Sequence, residues 1–483
     1  MPSGLRIARP ARGSLQPAMS RRARIIALIV ACALFMQNLD STVVATALPT
    51  MARAFHTAPV NMSVALTSYL LSLTVFIPAS GWIADRFGSR SVFRMAIIIF
   101  TLGSILCGRA ESLSFLVLAR IIQGIGGAMM VPVGRLVLLR TVAKSELVAA
   151  MAFLSIPALL GPVLGPPVGG FIVTYVSWHW VFDINVPIGV LGVVLVSRFI
   201  EEIEAAPAGR FDWIGLFFTA VALVGLMYGF ELASRGAVSP TMSFGMAAIG
   251  AIAAAAYYFH ARMTEHPLVD LSLMRIPTFG LSVMAGSLFR VGIGALPFLL
   301  PLMLQVGFGM SAAQSGMITF ASSAGALVMK PGAQYALRRF GFRSTLVFNG
   351  AIAVATIAMC AGFRPQWPLA CIYAVLLAGG FFRSLQFTGF NSIAFADVPP
   401  GKMSAATSFY STAQQLSLTV GVATGAAALE ISTKLFGHPR PLYGDYSAAF
   451  LAVAAIAAIS VPVSMRLAED AGAELSGQRA AAD

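Results

Sequence analysis

Apolar stretches long enough to cross a lipid bilayer recur along the whole chain and constrain its fold more than any other feature. A membrane-spanning helix needs about 17–25 mostly apolar residues, and such windows follow one another from residue 25 to residue 466. Only 11% of the 483 residues are charged and 58% are hydrophobic, whereas soluble domains carry about 25% charged residues. The alternating segments typical of an outer-membrane barrel are missing. The sequence predicts an all-α polytopic membrane protein with fourteen transmembrane helices.

The net charge of +13 would suggest a nucleic-acid partner in a soluble chain. In a membrane protein, an excess of Lys and Arg marks the cytoplasmic loops instead. If both termini are cytoplasmic, the inside segments hold 22 of the 32 basic residues and the outside loops hold six. We therefore expect both termini in the cytoplasm, the lipid bilayer as a partner, and no nucleic acid.

A weak repeat relates the loops that follow the second and tenth predicted spans. Pro78, Arg86-Phe87-Gly88 and Arg90 recur 253 positions later as Pro331, Arg339-Phe340-Gly341 and Arg343. Repeated halves are a signature of secondary transporters. The predicted organisation is a basic cytoplasmic arm at 1–24, a six-helix bundle at 25–200, a linker with two inserted helices at 201–278, a second six-helix bundle at 279–466, and a cytoplasmic tail at 467–483.

The first copy of this loop places a carboxylate beside cationic side chains at the membrane surface. Its motif residues are Gly81, Asp85, Arg86, Gly88 and Arg90. Asp85 can cap the positive end of a neighbouring helix or pair with an arginine, in one conformation but not in another. We interpret the loop as a cytoplasmic gate, in preference to an ordinary basic loop.

Asp40 lies inside the first span, and Arg120 lies inside the fourth. At 1.5 Å per residue, Asp40 is about 22 Å and Arg120 about 20 Å from the inner face. A buried arginine costs about 2.5–3.5 kcal/mol on insertion scales and needs a partner or a wet cavity. Gln123 shares the helix face of Arg120. The similar depths predict an ion pair between Asp40 and Arg120, either static or able to exchange a proton.

The fifth span combines a stripe of glycines with prolines. Its motif residues are Gly161, Pro162, Gly165, Pro166, Gly169 and Gly170. Small residues four apart let two helices touch closely, and proline removes a backbone donor and favours a bend. The segment is therefore a packing face and a candidate for a moving element.

Polar side chains inside the spans are candidates for a substrate cavity: Gln37, Gln123, Arg290 and Arg383. The two arginines of the second half lie too deep to reach water easily, and few intramembrane acids exist to neutralise them. Either they meet an anionic substrate or a wet cavity, or they bond to backbone carbonyls.

The loop motif, the Arg120-x-x-Gln123-Gly124 motif and the Gly-Pro motif resemble three signatures of the major facilitator superfamily. The segment 39–49 and Trp178-His179-Trp180 are similar to its fourteen-span drug:proton antiporter branch, the EmrB/QacA type. The segments 78–82 and 126–136 resemble the MdtD subgroup of multidrug exporters within that branch.

The resemblance implies two bundles that rock about a central site in the bacterial cytoplasmic (inner) membrane. It further implies multidrug efflux by exchange of a small molecule for protons, with Asp40 and Arg120 at the coupling site. The proton gradient is the expected energy source, without a cofactor, and the expected state is a monomer with accessory efflux proteins as further partners. One departure concerns the gate, because Arg338 stands where the acid of the second loop would align with Asp85.

The sequence lacks the motifs of two other functional classes. None of the four lysines completes the phosphate-binding loop of an ATP-driven pump, and the five histidines show no metal or catalytic spacing, so an enzyme is not expected. Export of anionic metabolites or metal chelates, proton-coupled uptake, and a non-transporting membrane receptor remain open alternatives.

Overall fold

The computed structural model describes residues 20–142, 147–201, 211–235, 240–264, 267–399 and 402–473, and these residues form helices joined by short connections. The first half contains α1 (Arg21–Ala54), α2 (Ser63–Phe76), α3 (Ser80–Phe87), α4 (Ser89–Gly108), α5 (Leu113–Thr141), α6 (Leu147–Tyr175), α7 (Trp180–Asp183) and α8 (Asn185–Phe199). Next come α9 (Trp213–Arg235) and α10 (Pro240–Met263). The second half contains α11 (Pro277–Leu302), α12 (Ala312–Phe340), α13 (Phe342–Met359), α14 (Leu369–Ile393), α15 (Met403–Leu435), α16 (Tyr443–Ala458) and α17 (Ser460–Ser464).

Eleven helical segments within the described residues are long and apolar enough to cross a membrane. They are Arg21–Ala54, Pro59–Phe87, Ser89–Gly108, Leu113–Leu138, Trp180–Phe199, Thr241–Met263, Pro277–Gly307, Phe342–Gly362, Leu369–Ile393, Ala405–Leu435 and Tyr443–Ser464. The helices α6, α9 and α12 are also long, with 29, 23 and 29 residues. The chain is therefore a multi-pass, all-helical membrane protein.

The repeated loops have the same backbone turn. Gly88 ends α3 with φ 81°, and Gly341 ends α12 with φ 73°. This left-handed conformation favours glycine, which has no Cβ to clash. Each glycine is also the N-cap of the next helix. In both copies of the repeat, a single glycine therefore connects two consecutive helices.

Helix packing follows the order of the two halves. In the first half, α1 packs on α6 and α8, and α5 packs on α2 and α4. In the second half, α11 packs on α15 and α16, and α14 packs on α12 and α13. The halves meet where α6 contacts α12 and where α2 contacts α15, while α9 and α10 pack together and α9 also touches α2 and α15.

The fifth predicted span, α6, lies against α1 with almost no space between the helices. A Cβ added at Gly165 would lie 1.9 Å from Thr42 Oγ1, and one added at Gly169 would lie 2.4 Å from Thr46 Oγ1. Despite its prolines, α6 runs as one α-helix from Leu147 to Tyr175. The glycine stripe is a close-packing face.

Contacts between the halves concentrate at the end of the molecule where α1 finishes. Gln305 Nε2 donates to the Thr46 carbonyl at 2.9 Å, and the Ala313 amide donates to Thr174 Oγ1 at 2.9 Å. Gly170 is so close to the Ala312 carbonyl that a Cβ would lie 2.4 Å from it. We call these contacts the seal.

The apolar clusters divide in the same way. One large cluster at the seal end joins residues 39–52 of α1 with residues 295–304 and 422–429 of the second half. At the opposite end, one cluster belongs to the first half alone, with residues 23–36 of α1, and two others belong to the second half alone. A further cluster joins Leu71 and Val75 of α2 to Leu223 and Met227 of α9 and Ala423 of α15. Within the described residues, the halves thus share a large core at the seal end and a smaller one where α2, α9 and α15 meet, while each half also has cores of its own at the opposite end.

Candidate functional site

The predicted pair of Asp40 and Arg120 is present in the structure. Arg120 Nη1 on α5 donates to Asp40 Oδ2 on α1 at 2.6 Å. Asp40 is 1% exposed and Arg120 is fully buried. Depth along the two helices was sufficient to predict this contact, whereas its role in proton coupling stays a prediction.

Two amide side chains complete the binding of the Asp40 carboxylate. Gln123 Nε2 and Asn185 Nδ2 each donate to Asp40 Oδ1 at 2.9 Å. Gln123 Oε1 in turn accepts from Arg120 Nη1 at 2.7 Å. Gln123 stands one turn after Arg120 on α5, so one helix face supplies two of the three donors, and Asn185 at the start of α8 supplies the third.

A second layer holds the donors in position. The Arg120 guanidinium carbon lies 4.2 Å from the centre of the Tyr69 ring, and Arg120 Nε donates to the Ala65 carbonyl at 3.1 Å. Asn185 Nδ2 also reaches Ser104 Oγ at 3.0 Å. The site therefore joins α1, α2, α4, α5 and α8, the helices that surround it in the first half.

This arrangement can carry one proton. A buried carboxylate is tolerated when it has a cationic partner and satisfied oxygens, and Asp40 accepts three hydrogen bonds. Protonation would neutralise Asp40 and leave Arg120 without its counter-ion in a dry core. The ion pair therefore joins α1 to α5 inside the membrane-spanning part of the first half.

The predicted gate residues lie at the opposite end from the seal. Arg140 Nη2 on α5 donates to Asp85 Oδ1 on α3 at 2.5 Å. Arg90 Nη2 donates to the Ser197 carbonyl at 2.6 Å. Arg86 is exposed, so the acid of the loop pairs with an arginine from another helix and not with its own neighbour.

The second copy of the loop has a different ion pair. Arg343, the counterpart of Arg90, bonds to Glu469 at 2.6 Å. Arg338, the counterpart of Asp85, is exposed. The departure seen in the sequence is thus real in the structure, since the two loops are held by different ion pairs.

The four predicted cavity residues lie on four different helices, α1, α5, α11 and α14. Gln37 is half-buried on α1, and Gln123 belongs to the Asp40 network. Arg290 Nη2 donates to Tyr410 Oη at 2.6 Å and to Asn391 Oδ1 at 3.0 Å. Both acceptors are neutral side chains on α14 and α15, so the predicted alternative of bonding to backbone carbonyls does not describe Arg290.

Arg383 likewise bonds to a neutral side chain. Its Nη2 donates to Ser322 Oγ on α12 at 2.7 Å, and the residue is 6% exposed. Within the described residues, neither Arg290 nor Arg383 has a carboxylate within 4 Å.

Sequence reasoning missed three members of the Asp40 network: Asn185, Tyr69 and Ser104. Asn185 follows the Trp178-His179-Trp180 segment, which carries part of the family resemblance. A buried amide within an apolar helix is a usable signal, because it requires hydrogen-bond partners. Tyrosine and serine are too common in membrane helices to give such a signal.

Apolar helices packed around a buried carboxylate–guanidinium pair define a polytopic membrane transporter, and comparison with known proteins agrees. The profile of the Major Facilitator Superfamily matches the chain over residues 30–422 and 282–482. The chain belongs to this superfamily, whose members transport small molecules and are not enzymes.

Among similar proteins is one provisionally named multidrug resistance protein MdtD from Pectobacterium atrosepticum, 39% identical over 406 residues, covering 83% of this chain and 86% of that protein. Its counterpart from Salmonella typhimurium is 39% identical over 400 residues, covering 82% and 84%.

Solved structures with the same fold include a POT family transporter bound to a thioalcohol-conjugated peptide, with a TM-score of 0.68 and 14% identity, covering 90% of this chain and 94% of that one. A D-xylose–proton symporter has a TM-score of 0.65 and 14% identity, covering 92% and 97%. At this identity they show the fold alone.

Proposed function

We propose that this chain is a proton-coupled secondary transporter that exports small organic molecules, with Asp40 as the proton-carrying carboxylate. The observation that carries the proposal is the environment of Asp40, which is 1% exposed and accepts bonds from Arg120, Gln123 and Asn185. Ionisable groups inside a membrane are costly and mark ion and proton pathways. A proton on Asp40 changes the attraction between α1 and α5, which links proton binding to helix movement.

The proposed topology has fourteen spans, with α6, α9 and α12 crossing the bilayer together with the eleven apolar segments. Two six-helix bundles, at 25–200 and 279–466, flank the inserted pair formed by α9 and α10. Both termini face the cytoplasm of the bacterial inner membrane, as the excess of basic residues in the inside segments supports.

The uneven distribution of contacts between the halves supports alternating access. In the proposed topology α1 ends at the outer surface, so the seal closes the outer side, while the separate cores lie on the cytoplasmic side. The structure is then an inward-facing state in which substrate enters from the cytoplasm. Export requires the seal to open while the cytoplasmic ends close, including the surface where Asp85 pairs with Arg140.

The direction of transport rests on the relatives. The MdtD proteins are named for multidrug resistance, which export of toxic compounds produces and uptake does not. Protons and the substrate are the proposed partners of a monomer that needs no cofactor, and accessory efflux proteins could extend its route to the exterior.

Everted membrane vesicles from a host without its own pumps provide the test. The vesicles expose the cytoplasmic face, so export appears as uptake driven by an imposed proton gradient, with substrates first screened from lipophilic cations and organic acids. Asp40→Asn is expected to abolish gradient-driven accumulation while it retains exchange of labelled for unlabelled substrate, because exchange needs no proton movement.

Asp183→Asn is the matched control, since it makes the same change in a carboxylate that pairs with Arg109 at 3.2 Å at the outer end of the first half. This variant is expected to keep gradient-driven transport. Normal accumulation by Asp40→Asn would refute the assignment of Asp40. A wild-type protein that binds compounds but moves none of them would instead indicate a receptor.

A further inference from the structure

Arg383 is a buried guanidinium with unused hydrogen-bonding capacity. A guanidinium has five N–H donors, yet within the described residues Arg383 bonds through Nη2 alone, to Ser322 Oγ at 2.7 Å. Gly379 makes room for this group, because a Cβ at that position would lie 2.7 Å from Arg383 Nη1. The structure accommodates the positive charge without neutralising it.

The other two buried arginines have fuller surroundings. Arg120 has Asp40, Gln123 and the Ala65 carbonyl as acceptors. Arg290 has two neutral acceptors, and its guanidinium carbon also lies 4.9 Å from the centre of the Tyr410 ring. Within the described residues, Arg383 therefore has the fewest hydrogen-bond acceptors of the three buried arginines.

The repeat shows that the fold does not need an arginine at this position. The offset of 253 that relates the two gate loops also relates Gly126 and Gly127 of α5 to Gly379 and Gly380 of α14. By the same offset, the counterpart of Arg383 is Met130, which is fully buried. An apolar side chain fills this position in one half, so the charge in the other half requires a separate reason.

Arg383 also lies close to the contact between α6 of the first half and α12 of the second half. Its partner Ser322 is next to Ser323, whose Oγ donates to the Pro162 carbonyl on α6 at 2.8 Å. Further along both helices is the seal, and in the other direction α12 packs into the core of the second half. Arg383 is thus beside a contact between the halves, where a bound molecule could touch both of them.

We propose that Arg383 binds a carboxylate group of the exported substrate, so that the transporter accepts organic acids. The inference rests on the proposed transport function and specifies its substrate class. Guanidinium and carboxylate groups match in a two-bond geometry that an amide or ester cannot reproduce. The second half then supplies the substrate contact while Asp40 in the first half carries the proton.

Binding to the purified full chain in detergent tests this assignment without any transport step. The probes are benzoate against benzamide, and 2-naphthoate against 2-naphthamide, pairs that differ in one charged group. A ligand that binds the folded state raises the unfolding temperature. The carboxylates are expected to stabilise the wild type more than their amides, and Arg383→Gln is expected to need about tenfold higher carboxylate concentration for the same effect.

Arg109→Gln is the matched control, because Arg109 lies at the surface and pairs with Asp183; it is expected to keep the carboxylate preference. If Arg383→Gln fails to fold, Arg383→Lys provides the test. Lysine keeps the positive charge but lacks the planar guanidinium group, so this variant is expected to weaken binding of the carboxylates and not of the amides. No carboxylate preference in the wild type, or a preference that survives both changes at Arg383, would overturn the proposal. Loss of proton-driven transport with intact carboxylate binding would count against the proposed function instead.

Discussion

Replacing Gly165 with alanine is expected to force α1 and α6 apart and destabilise the protein. The new Cβ would lie 1.9 Å from Thr42 Oγ1 and 2.7 Å from Thr42 Cβ, whereas ordinary contacts begin at 3.4 Å. Rotating the Thr42 hydroxyl away still leaves its Cβ about 0.7 Å too close, so the helices themselves must move. Overpacking of this kind costs about 1–3 kcal/mol, and the backbone shift places Gly165→Ala at the upper end.

Thermal unfolding of the purified protein measures the effect, and two further variants show its cause. Gly245→Ala is the control, because Gly245 lies within α10 and a Cβ there would have no atom within 4 Å. Combining Gly165→Ala with Thr42→Gly removes both close atoms and leaves the Val43 amide nitrogen at 3.4 Å, so most of the stability should return. Equal unfolding temperatures for Gly165→Ala and Gly245→Ala would refute the close packing of α1 on α6.

Two further predictions concern the gate and the Asp40 network. Asp85→Asn removes a partly exposed ion pair with Arg140, which contributes about 1 kcal/mol or less to stability. The unfolding temperature should therefore hardly change, whereas the distances between spin labels at the cytoplasmic ends of α3 and α12 should shift. Unchanged distances would contradict a gating role. Asn185→Val removes one of the three hydrogen bonds that Asp40 accepts and leaves this buried carboxylate with one donor fewer, so the rate of gradient-driven transport should fall. Ser104→Ala, which affects Asn185 but not Asp40 directly, should keep the wild-type rate, and equal rates for all three proteins would rule out this role of Asn185.

The sequence was most informative about residues whose burial in the membrane carries a large free-energy cost. A carboxylate and a guanidinium inside apolar spans require partners, and their depths along two helices were enough to pair Asp40 with Arg120. The glycine stripe predicted close helix contact for a similar reason, since glycines four residues apart serve no purpose on a lipid-facing surface. Both inferences depend on local sequence and helix geometry alone.

Other features depend on tertiary packing and could not be predicted in this way. Asn185 binds Asp40 because α8 crosses α1 at one level, and no spacing along the chain specifies that crossing. Proline in α6 is accommodated without interrupting the helix, since the tight packing of Gly165 and Gly169 on α1 supports it. The shared core at the seal end is likewise invisible in sequence, because it depends on how the two halves pack against each other.

The central claim is that Asp40 carries the proton that is exchanged for substrate, and proton release from the purified protein tests it most directly. The compound transported best in vesicles is added to wild-type protein in a weakly buffered solution, and the pH change is recorded. The account predicts that the wild type releases protons as substrate binds and that Asp40→Asn binds substrate without any release. Equal proton release by both proteins, or substrate binding to the wild type with no pH change, would contradict it.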